Sequence, residues 1–302
     1  MVDERIAKFE VLSKRRFGAY LLGSSRTAMI PGAALAQLTG VSAYNASFSS
    51  ATAEEYAQYV SYILRTNPNV RHIVIGLDLF AFSDTFRSYG NMPAGLRDST
   101  PPPLTFLPEQ FSLSEFWRSV LVLMFNLRGL EPEMTIASDG ERHYAAYEKA
   151  LAEEGDALRA HIEQEVLRGP VRWQKITKID EGRFRKLREI SEACARAGVQ
   201  LTLFTNPLFV EYWQDASAPE LRLYRQLLER TVREVGPIHD FSVGYELNRD
   251  PANFFNKSHF SPKLGVRALA NALGARSDYG RRLTAENIEN SLPPVWHDVP
   301  LR

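Results

Sequence analysis

One short stretch decides the fold: residues 21–26, Leu-Leu-Gly-Ser-Ser-Arg. The apolar residues 17–22 predict a buried strand that runs directly into the Gly-Ser-Ser turn. Ligands of open α/β sheets bind at the carboxyl ends of the strands, so this turn would hold a hydroxyl group where a ligand binds. Two interpretations of Ser25 follow. It is a nucleophile, or it is the N-cap of a following helix, a position that serine favours.

Outward from this turn, strands and helices alternate along the chain. Further strands are predicted at 41–46, 71–77, 199–204 and 238–241, and helical patterns separate them. The third predicted strand contains His-Ile-Val-Ile-Gly-Leu, and its continuous apolar character is typical of a central strand covered on both faces. Five strands separated by helices predict a parallel sheet with helices on both sides.

The segment of about residues 84–180 interrupts this alternation. Three consecutive prolines at 101–103 predict an extended loop, and residues 111–130 and 144–167 predict two helices, the first amphipathic and the second highly charged. No strand pattern is visible in the segment. We therefore expect a single domain, 1–302, with a helical insertion between the third and fourth strands that covers or flanks the ligand-binding edge. The apolar side of the first helix packs on the core or faces a partner or membrane surface.

Composition and charge exclude several classes of protein. The 302 residues include 36 Lys and Arg and 36 Asp and Glu, and this balance argues against a nucleic-acid-binding protein. One cysteine cannot form a disulfide framework or a cysteine-based metal site within the chain. There is no glycine-rich phosphate loop and the histidines show no metal-site pairing, so we expect neither a cofactor nor a metal. The longest apolar run, at 120–125, is too short to span a bilayer, and residues 1–16 lack a signal-peptide core, which predicts a soluble chain.

Polar side chains follow the carboxyl ends of the predicted strands. The first strand leads to Ser25, the second to residues 45–50, the third to Asp78 and the fourth to Asn206, while the loop after the fifth carries His259. A nucleophilic serine needs a base, donors for the oxyanion and a group that orients the base. Each role has a candidate at this edge, and the sequence therefore predicts a serine-dependent acyl-transfer site.

The order of these blocks resembles the SGNH, or GDSL-type, hydrolase superfamily. Residues 23–25, Gly-Ser-Ser, stand where the superfamily has Gly-Asp-Ser, and residues 45–52, Asn-Ala-Ser-Phe-Ser-Ser-Ala-Thr, resemble its second block. Residues 256–259, Asn-Lys-Ser-His, resemble its last block, Asp-x-x-His. The resemblance covers most of the chain outside the insertion. More closely, the chain resembles the bacterial cell-envelope branch, which includes polysaccharide O-acetyltransferase domains and the D-alanyl-transfer protein of teichoic acid modification.

The resemblance implies both a fold and an activity. The fold would be a flavodoxin-like three-layer α/β/α sandwich with a five-stranded parallel sheet. The activity would be that of an esterase or O-acyltransferase in which Ser25 attacks an acyl carbonyl and His259 takes and returns the proton. The backbone amides of Ser25 and Ser50, with Asn45 as a further donor, would hold the oxyanion.

The resemblance also implies a substrate and a location. The partners would be a small-molecule acyl donor or an acylated envelope carbohydrate, together with a membrane-bound acyl-transfer protein, and no nucleic acid. The location would be the periplasm or cell envelope, with the cytoplasm as the alternative.

Three departures from the superfamily pattern leave alternatives open. Ser50 replaces the glycine of the second block, and residues 76–78, Gly-Leu-Asp, lack the asparagine of the third block. Asn256 replaces the acid of the last block, and an amide can orient an imidazole but cannot stabilise its charge. His259 would then be oriented by one of the aspartates Asp240, Asp250 and Asp78, or would form a dyad with Ser25. In the remaining alternative the site is degraded, and the chain is a non-catalytic binding or assembly protein of an envelope polysaccharide system.

Two further residues near the turn have alternative roles. Arg26 either binds an anion beside the nucleophile or forms a salt bridge. Asp78, if it does not orient the base, would fix the loops of the site by accepting backbone N–H bonds or contact the substrate.

Overall fold

The structure, a computed structural model, describes residues 4–87, 93, 96, 134–153, 155–169, 176–214, 216 and 218–291. Its first part contains α1 (Glu4–Lys14), β1 (Ala19–Leu22), α2 (Gly32–Thr39), β2 (Ala43–Asn45), α3 (Ala53–Thr66) and β3 (His72–Leu77). The region after β3 contains β4 (Met134–Ile136), β5 (Arg142–Tyr144), α4 (Ala145–Glu153) and α5 (Gly155–His161). The last part contains α6 (Glu181–Arg196), β6 (Gln200–Thr205), α7 (Val210–Gln214), α8 (Ala218–Glu234), β7 (Ile238–Asp240), β8 (Phe254–Asn256), β9 (His259–Phe260), α9 (Pro262–Ala272), β10 (Arg281–Leu283) and α10 (Ile288–Ser291).

The central sheet is mixed but mostly parallel. Its six strands follow the order β10-β7-β6-β3-β1-β2. The five predicted strands all form and pair in parallel, whereas β10 pairs antiparallel with β7 at the edge. The prediction of a five-stranded, purely parallel sheet is therefore wrong at this edge. The short Arg-Arg-Leu sequence of β10 buries one residue, Leu283, and has no apolar run to reveal a strand.

Side chains from both faces of the sheet are buried under helices. On β1, Tyr20 and Leu22 belong to one apolar cluster and Ala19 and Leu21 to the other. The first cluster includes apolar residues of α1, α3, α6 and α8, and the second includes residues of α2 and α9. Helices cover both faces of the sheet, and the strands are therefore apolar along their whole length.

The predicted insertion begins and ends at neighbouring points of the fold. Ser83 forms a β-bridge with Ile179, and the Asp180 N–H donates to the Phe82 carbonyl at 2.8 Å. The described part contains the β4–β5 hairpin, so the expectation of a purely helical insertion is wrong. Strands of three residues are too short to show a period-two pattern. The proline run at 101–103 and the amphipathic helix at 111–130 lie outside the described residues.

The predicted helix at 144–167 is divided. Residue 144 ends β5, and α4 and α5 follow as separate helices. The chain then continues as a π-helical turn at Ile162–Leu167. The π-helical turn contacts β8.

Candidate active site

The strand order changes direction at β1, and this point carries the Gly-Ser-Ser turn. The chain passes from β1 to β2 on one side and then to β3 on the other. In open α/β sheets, such a reversal point leaves a crevice at the carboxyl ends of the strands in which ligands bind. The turn at residues 23–25 therefore lies at the position of the sheet best suited to a ligand.

Two glycines allow the ends of three strands to approach each other here. A Cβ atom at Gly23 or Gly76 would lie 2.2 or 2.3 Å from the Thr27 hydroxyl, which no real structure tolerates. The same hydroxyl donates to Asn206 Oδ1 at 2.9 Å. Thr27 thus links the turn after β1 to the end of β6, and both glycines are needed for it to fit.

Ser25 and His259 lie within hydrogen-bond distance. The two strands β8 and β9 form a hairpin, here called the histidine hairpin, in which Asn256 pairs with His259. His259 Nε2 is 2.9 Å from Ser25 Oγ, and His259 Nδ1 is 3.0 Å from Asn256 Oδ1. We refer to these three residues as the serine triad. The structure therefore brings together the predicted nucleophile, the predicted base and the amide at the position of the superfamily's acid.

The Asn256 side chain sets the tautomer of His259. Its Oδ1 accepts hydrogen bonds from the backbone N–H groups of Ser258 and His259, both at 3.0 Å. These two donors identify the oxygen of the amide, because an NH₂ group could not accept them. Oδ1 also accepts from the Ser258 hydroxyl at 3.0 Å, and this hydroxyl lies 3.1 Å from His259 Nδ1. Because Oδ1 can only accept, its contact with His259 Nδ1 places the hydrogen on Nδ1. The Nε2 lone pair faces Ser25, which is the arrangement that a general base requires.

The aspartates proposed as alternative orienting groups have other partners. Asp240 accepts from the hydroxyls of Thr205 and Tyr224, each at 2.8 Å. Asp250 accepts from the Ala252 N–H at 3.0 Å and caps a short helical turn. Neither bonds to His259, and Asp78 is paired with an arginine, as described below. The orienting group is therefore the neutral amide.

His259 is neutral in this environment. Burial lowers the pKa of His259 from its ordinary value of 6.5 to about 3, and the charges of Arg26 and Arg142 act in the same direction. In the part of the chain that the structure describes, no carboxylate bonds to the imidazole to offset these effects. The imidazole is consequently free to accept a proton but binds it weakly.

Two backbone N–H groups are available for an oxyanion. Ser25 and Ser50 line the same cavity, and their N–H groups donate to no acceptor among residues 4–87 or the other described ranges. Ser50 has φ +56°, a conformation that glycine adopts readily and serine rarely. The residue that replaces the glycine of the second block thus keeps a glycine-like backbone.

Asn45 has a structural role instead of the predicted oxyanion contact. Its amide donates to the carbonyls of Thr27 at 2.9 Å and Ile30 at 2.7 Å, while its Oδ1 accepts the Ser47 N–H at 2.9 Å. Both amide hydrogens are used and the side chain is buried. Asn45 therefore holds the turn after β1 against β2 and has no hydrogen left for a substrate.

Arg26 and Asp78 form a buried ion pair. Arg26 Nη1 bonds to Asp78 Oδ1, Nη2 donates to Tyr212 Oη at 3.1 Å, and Nε donates to the Ser258 carbonyl at 2.8 Å. Asp78 Oδ2 accepts from Asn206 Nδ2 at 3.1 Å. Burial alone would lower the pKa of Arg26, but Asp78 and Tyr212 together raise it above its usual value.

We refer to Arg26, Asp78, Asn206 and Tyr212 as the arginine cluster. The salt-bridge interpretation of Arg26 is therefore the one that the structure shows. Asp78 accepts from side chains, and the expectation that it accepts backbone N–H groups is wrong. Since Arg26 also holds the Ser258 carbonyl, the cluster connects β3 and β6 to the histidine hairpin.

The serine triad opens on a cavity of about 300 Å³. Ser25, Ser50 and His259 lie in its lining, and so do Arg26 and Asp78 of the arginine cluster. The apolar and aromatic part of its lining comprises Leu77, Leu79, Phe80, Ile176, Leu208, Tyr212, Trp213 and Tyr224. A cavity of this size is at the lower end of those that bind small molecules.

The aromatic part of this lining has no motif in the sequence. Tyr212 and Trp213 belong to the short helix α7, which follows the Asn-Pro pair at the end of β6. Phe80 lies in the helical turn after β3. No motif marks these residues. The only sequence signal is their position shortly after the carboxyl ends of predicted strands.

Comparison with known proteins adds no assignment. No protein-family model matches the chain, and no curated protein matches it. Within the ranges that the structure describes, no group of three or more His, Cys, Asp or Glu side chains could hold a metal ion. No helix in those ranges is sufficiently long and apolar to cross a membrane.

Proposed function

We propose that the chain is a serine-dependent esterase or O-acyltransferase of the SGNH type. The observation that carries this proposal is the geometry of the serine triad, with Ser25 Oγ 2.9 Å from His259 Nε2 at the reversal point of the sheet. The five parallel strands follow the spatial order 2-1-3-4-5, counted along the chain, which is the flavodoxin-like order. This order, together with helices on both faces, supports the three-layer sandwich of the SGNH fold.

The reaction begins when Ser25 Oγ attacks the acyl carbonyl carbon and its proton passes to His259 Nε2. The N–H groups of Ser25 and Ser50 donate to the oxyanion of the tetrahedral intermediate. When the intermediate collapses, His259 returns the proton to the leaving alcohol and an acyl-serine remains. Water or a sugar hydroxyl then attacks this ester, with His259 again accepting the proton. When the second tetrahedral intermediate collapses, His259 returns this proton to Ser25 Oγ, and the free acid or the acylated sugar leaves.

The substrate that we propose is an acylated cell-envelope carbohydrate. The cavity of about 300 Å³ suits a small acyl group, with the carbohydrate outside it. The carbohydrate, the periplasmic or envelope location and a membrane-bound acyl-transfer partner are proposed from the resemblance to the superfamily. The cavity bears on the acyl group alone.

One observation favours a second candidate function. The group that orients His259 is an amide, which stabilises no imidazolium charge. A chain with such a site could bind an envelope polysaccharide without turning it over. In this alternative the protein is a binding or assembly component.

The two functions differ in the reactivity of Ser25. We expect a fluorophosphonate probe to label the wild type and p-nitrophenyl acetate to be hydrolysed. Ser25→Ala should abolish the labelling, and His259→Ala should lower its rate by at least ~10³-fold. Ser13→Ala is the control, because the Ser13 hydroxyl lies on α1 and bonds to the Glu10 carbonyl. Mass spectrometry of the labelled peptide identifies the modified serine.

Two results would decide against the esterase. Labelling that continues at the wild-type rate in Ser25→Ala would show that another residue reacts. A folded wild type that neither reacts with the probe nor hydrolyses the ester would support the non-catalytic alternative.

A further inference from the structure

Charged side chains bind every polar atom of Ser49, the residue before Ser50. The Ser49 N–H donates to Glu4 Oε2 at 2.9 Å, and its carbonyl accepts from Arg5 Nη2 at 3.0 Å. Its hydroxyl accepts from Arg142 Nη2 at 3.0 Å. We call residues 47–51 the oxyanion loop. The loop is thus held at the position immediately before its available N–H group.

The Arg142 guanidinium joins this loop to two other elements. It is 1% exposed, its Nε donates to Glu4 Oε1 at 2.8 Å, and its Nη2 bonds to the same oxygen. Its Nη1 donates to Tyr144 Oη at 3.1 Å. A buried arginine is tolerated only where its charge and donors are matched, and here every nitrogen has a partner. The bonds of Arg142 to Glu4, Ser49 and Tyr144 fix the position of Ser49 relative to α1 and β5.

Tyr144, two residues further along β5, contacts the other half of the site. Its ring stacks on Phe255, with centroids 4.7 Å apart and an interplanar angle of 11°. Phe255 directly precedes Asn256 of the serine triad. His161, at the end of α5, also contacts Phe255, because its Nε2 is 3.0 Å from the Phe255 carbonyl. The insertion therefore packs on the hairpin that carries the base.

We propose that β5 positions both halves of the active site, with Arg142 acting on the oxyanion loop through Ser49 and Tyr144 acting on the histidine hairpin through Phe255. This inference rests on the proposed function. Neither side chain lines the cavity, so both are positioning residues.

The physical need for such positioning is clearest at Ser50. A non-glycine residue rarely adopts φ +56°, because its Cβ then lies too close to the neighbouring backbone. Such a conformation persists only where the surrounding structure imposes it. The three bonds to Ser49 supply that constraint, and Arg142 forms one of them while also holding Glu4, which forms another.

The first test is Arg142→Lys. Lysine keeps the positive charge but cannot bond to Glu4, Ser49 and Tyr144 with the planar fork of arginine. We expect kcat for p-nitrophenyl acetate to fall by about 10- to 100-fold, somewhat less than the loss of a whole oxyanion donor, with KM within twofold of the wild type. We also expect faster amide hydrogen exchange in residues 47–51. The control is Arg230→Lys on α8, where the arginine forms three bonds to Glu181 and Glu234 and does not line the cavity.

Ser49→Ala tests the same contact without an unpaired buried charge. It removes the bond from Arg142 but leaves the bonds of the Ser49 backbone to Glu4 and Arg5. We expect a smaller fall in kcat than for Arg142→Lys, again without a change in KM. Because Ser49 is only partly buried, this variant tests the inference even if the arginine variant does not fold.

Tyr144 is tested by two substitutions. Tyr144→Leu removes the stacking on Phe255 and should accelerate exchange in residues 254–260 and slow the labelling of Ser25. Tyr144→Phe keeps the ring and loses only the bond from Arg142, so its labelling rate should stay closer to that of the wild type.

The exchange measurement separates this inference from the proposed function. Faster exchange confined to residues 47–51, in Arg142→Lys or Ser49→Ala, with a lower kcat supports the inference. Exchange that is unchanged there, or a kcat that stays at the wild-type value while the loop loosens, overturns it. If the wild type itself is inert toward ester and probe, the proposed function fails. The role of β5 as a catalytic positioning element fails with it, and the exchange data then report only its contribution to loop stability.

Discussion

The arginine cluster and the serine triad share one cavity but distribute charge differently. In the first, the Asp78 carboxylate faces Arg26, a group that always carries a positive charge. In the second, the neutral Asn256 amide faces His259, a group that would have to gain and lose a charge in the proposed acyl transfer. Among the described residues of the cavity lining, Asp78 alone has a carboxylate, and this carboxylate holds the site together. The residue that needs a charged partner has an uncharged one.

This difference separates orientation from electrostatic stabilisation. Asn256 supplies the geometry and tautomer that a base needs, but the pKa of His259 remains near 3 because nothing compensates for burial and two arginines. A base works best when its pKa is near the working pH. We therefore expect slow acyl transfer at neutral pH from a correctly arranged site.

The largest expected effect follows from breaking the ion pair of the arginine cluster. Asp78→Asn keeps the shape of the side chain but leaves Arg26 as an unpaired buried charge. We expect a loss of about 3–5 kcal/mol in the free energy of unfolding, measured with urea. The control is Glu10→Gln, which breaks the exposed pair of Glu10 with Lys14 and should cost less than about 1 kcal/mol.

A small loss in Asp78→Asn would contradict the structural role of the cluster. If the variant unfolds within about 1 kcal/mol of the wild type, Arg26 does not depend on Asp78 for burial. The Asp78 carboxylate would then not be the group that holds the site together.

The second effect comes from giving the serine triad a carboxylate. Asn256→Asp retains an acceptor for the Ser258 and His259 N–H groups and places a negative charge beside the imidazole. An Asp-to-Asn change in a serine triad lowers kcat by about 10⁴-fold, so we expect the reverse change to raise kcat by at least ~10²-fold. Hydrolysis of p-nitrophenyl acetate measures it.

The matched control is Asn253→Asp, in the helical turn directly before β8. The Asn253 amide donates to the Leu247 carbonyl and does not face His259, so the added charge should leave kcat within about threefold of the wild type. If Asn256→Asp has no higher activity than the wild type, the lack of charge is not what limits the site.

The third effect is on pH dependence. In the wild type, His259 stays neutral down to a pH near 3, and the rate of Ser25 labelling should not show a histidine titration between pH 8 and 5. In Asn256→Asp the carboxylate raises the pKa of His259, and the acid limb should move up by one unit or more, since an opposite charge in contact shifts a pKa by about 1–3 units.

The same shift has a consequence for stability. The pKa of His259 is lower in the folded chain than its ordinary value of 6.5, so the unfolded chain binds more protons between these values. Stability should therefore fall as the pH is lowered through this window. Burial also lowers the pKa of His239, to about 4, and this acts in the same direction. The contribution of His259 is obtained by comparing urea unfolding of the wild type and His259→Gln at pH 7 and pH 5. If the free energy of unfolding falls equally in both chains between pH 7 and pH 5, His259 does not contribute to the pH dependence.

The parts of this site that could be predicted are those with strong local signals. The buried strands have continuous apolar sequences, and Thr52 and Glu55 predict the start of α3, where the Glu55 carboxylate accepts the Thr52 N–H at 2.8 Å. Ser25 and His259 could be named because each follows a strand in an order that resembles a known superfamily. These features depend on neighbours in sequence or on strand order alone.

The missed features depend on contacts between distant residues. The position of Asn45 after β2 predicts an oxyanion donor, but the sequence does not show the carbonyls of Thr27 and Ile30 that accept from its amide. Asp78 and Arg26 are 52 residues apart, and no local pattern pairs them. The β5 strand is three residues long, so Arg142 has no signal that connects it to Ser49.

The smallest expected effect tests whether the arginine cluster is structural throughout. Asn206 donates to Asp78 Oδ2 and accepts from the Thr27 hydroxyl, so Asn206→Ala removes one bond to a carboxylate and one neutral bond but leaves the ion pair intact. We expect a loss of about 1–2 kcal/mol in the free energy of unfolding, below that of Asp78→Asn, because no charge is left unpaired. The pH profile of Ser25 labelling should not move, since Asn206 does not contact His259. A changed pH profile would mean that the arginine cluster and the serine triad are coupled electrostatically. The cavity could then not be divided into a structural part and a part proposed to transfer protons.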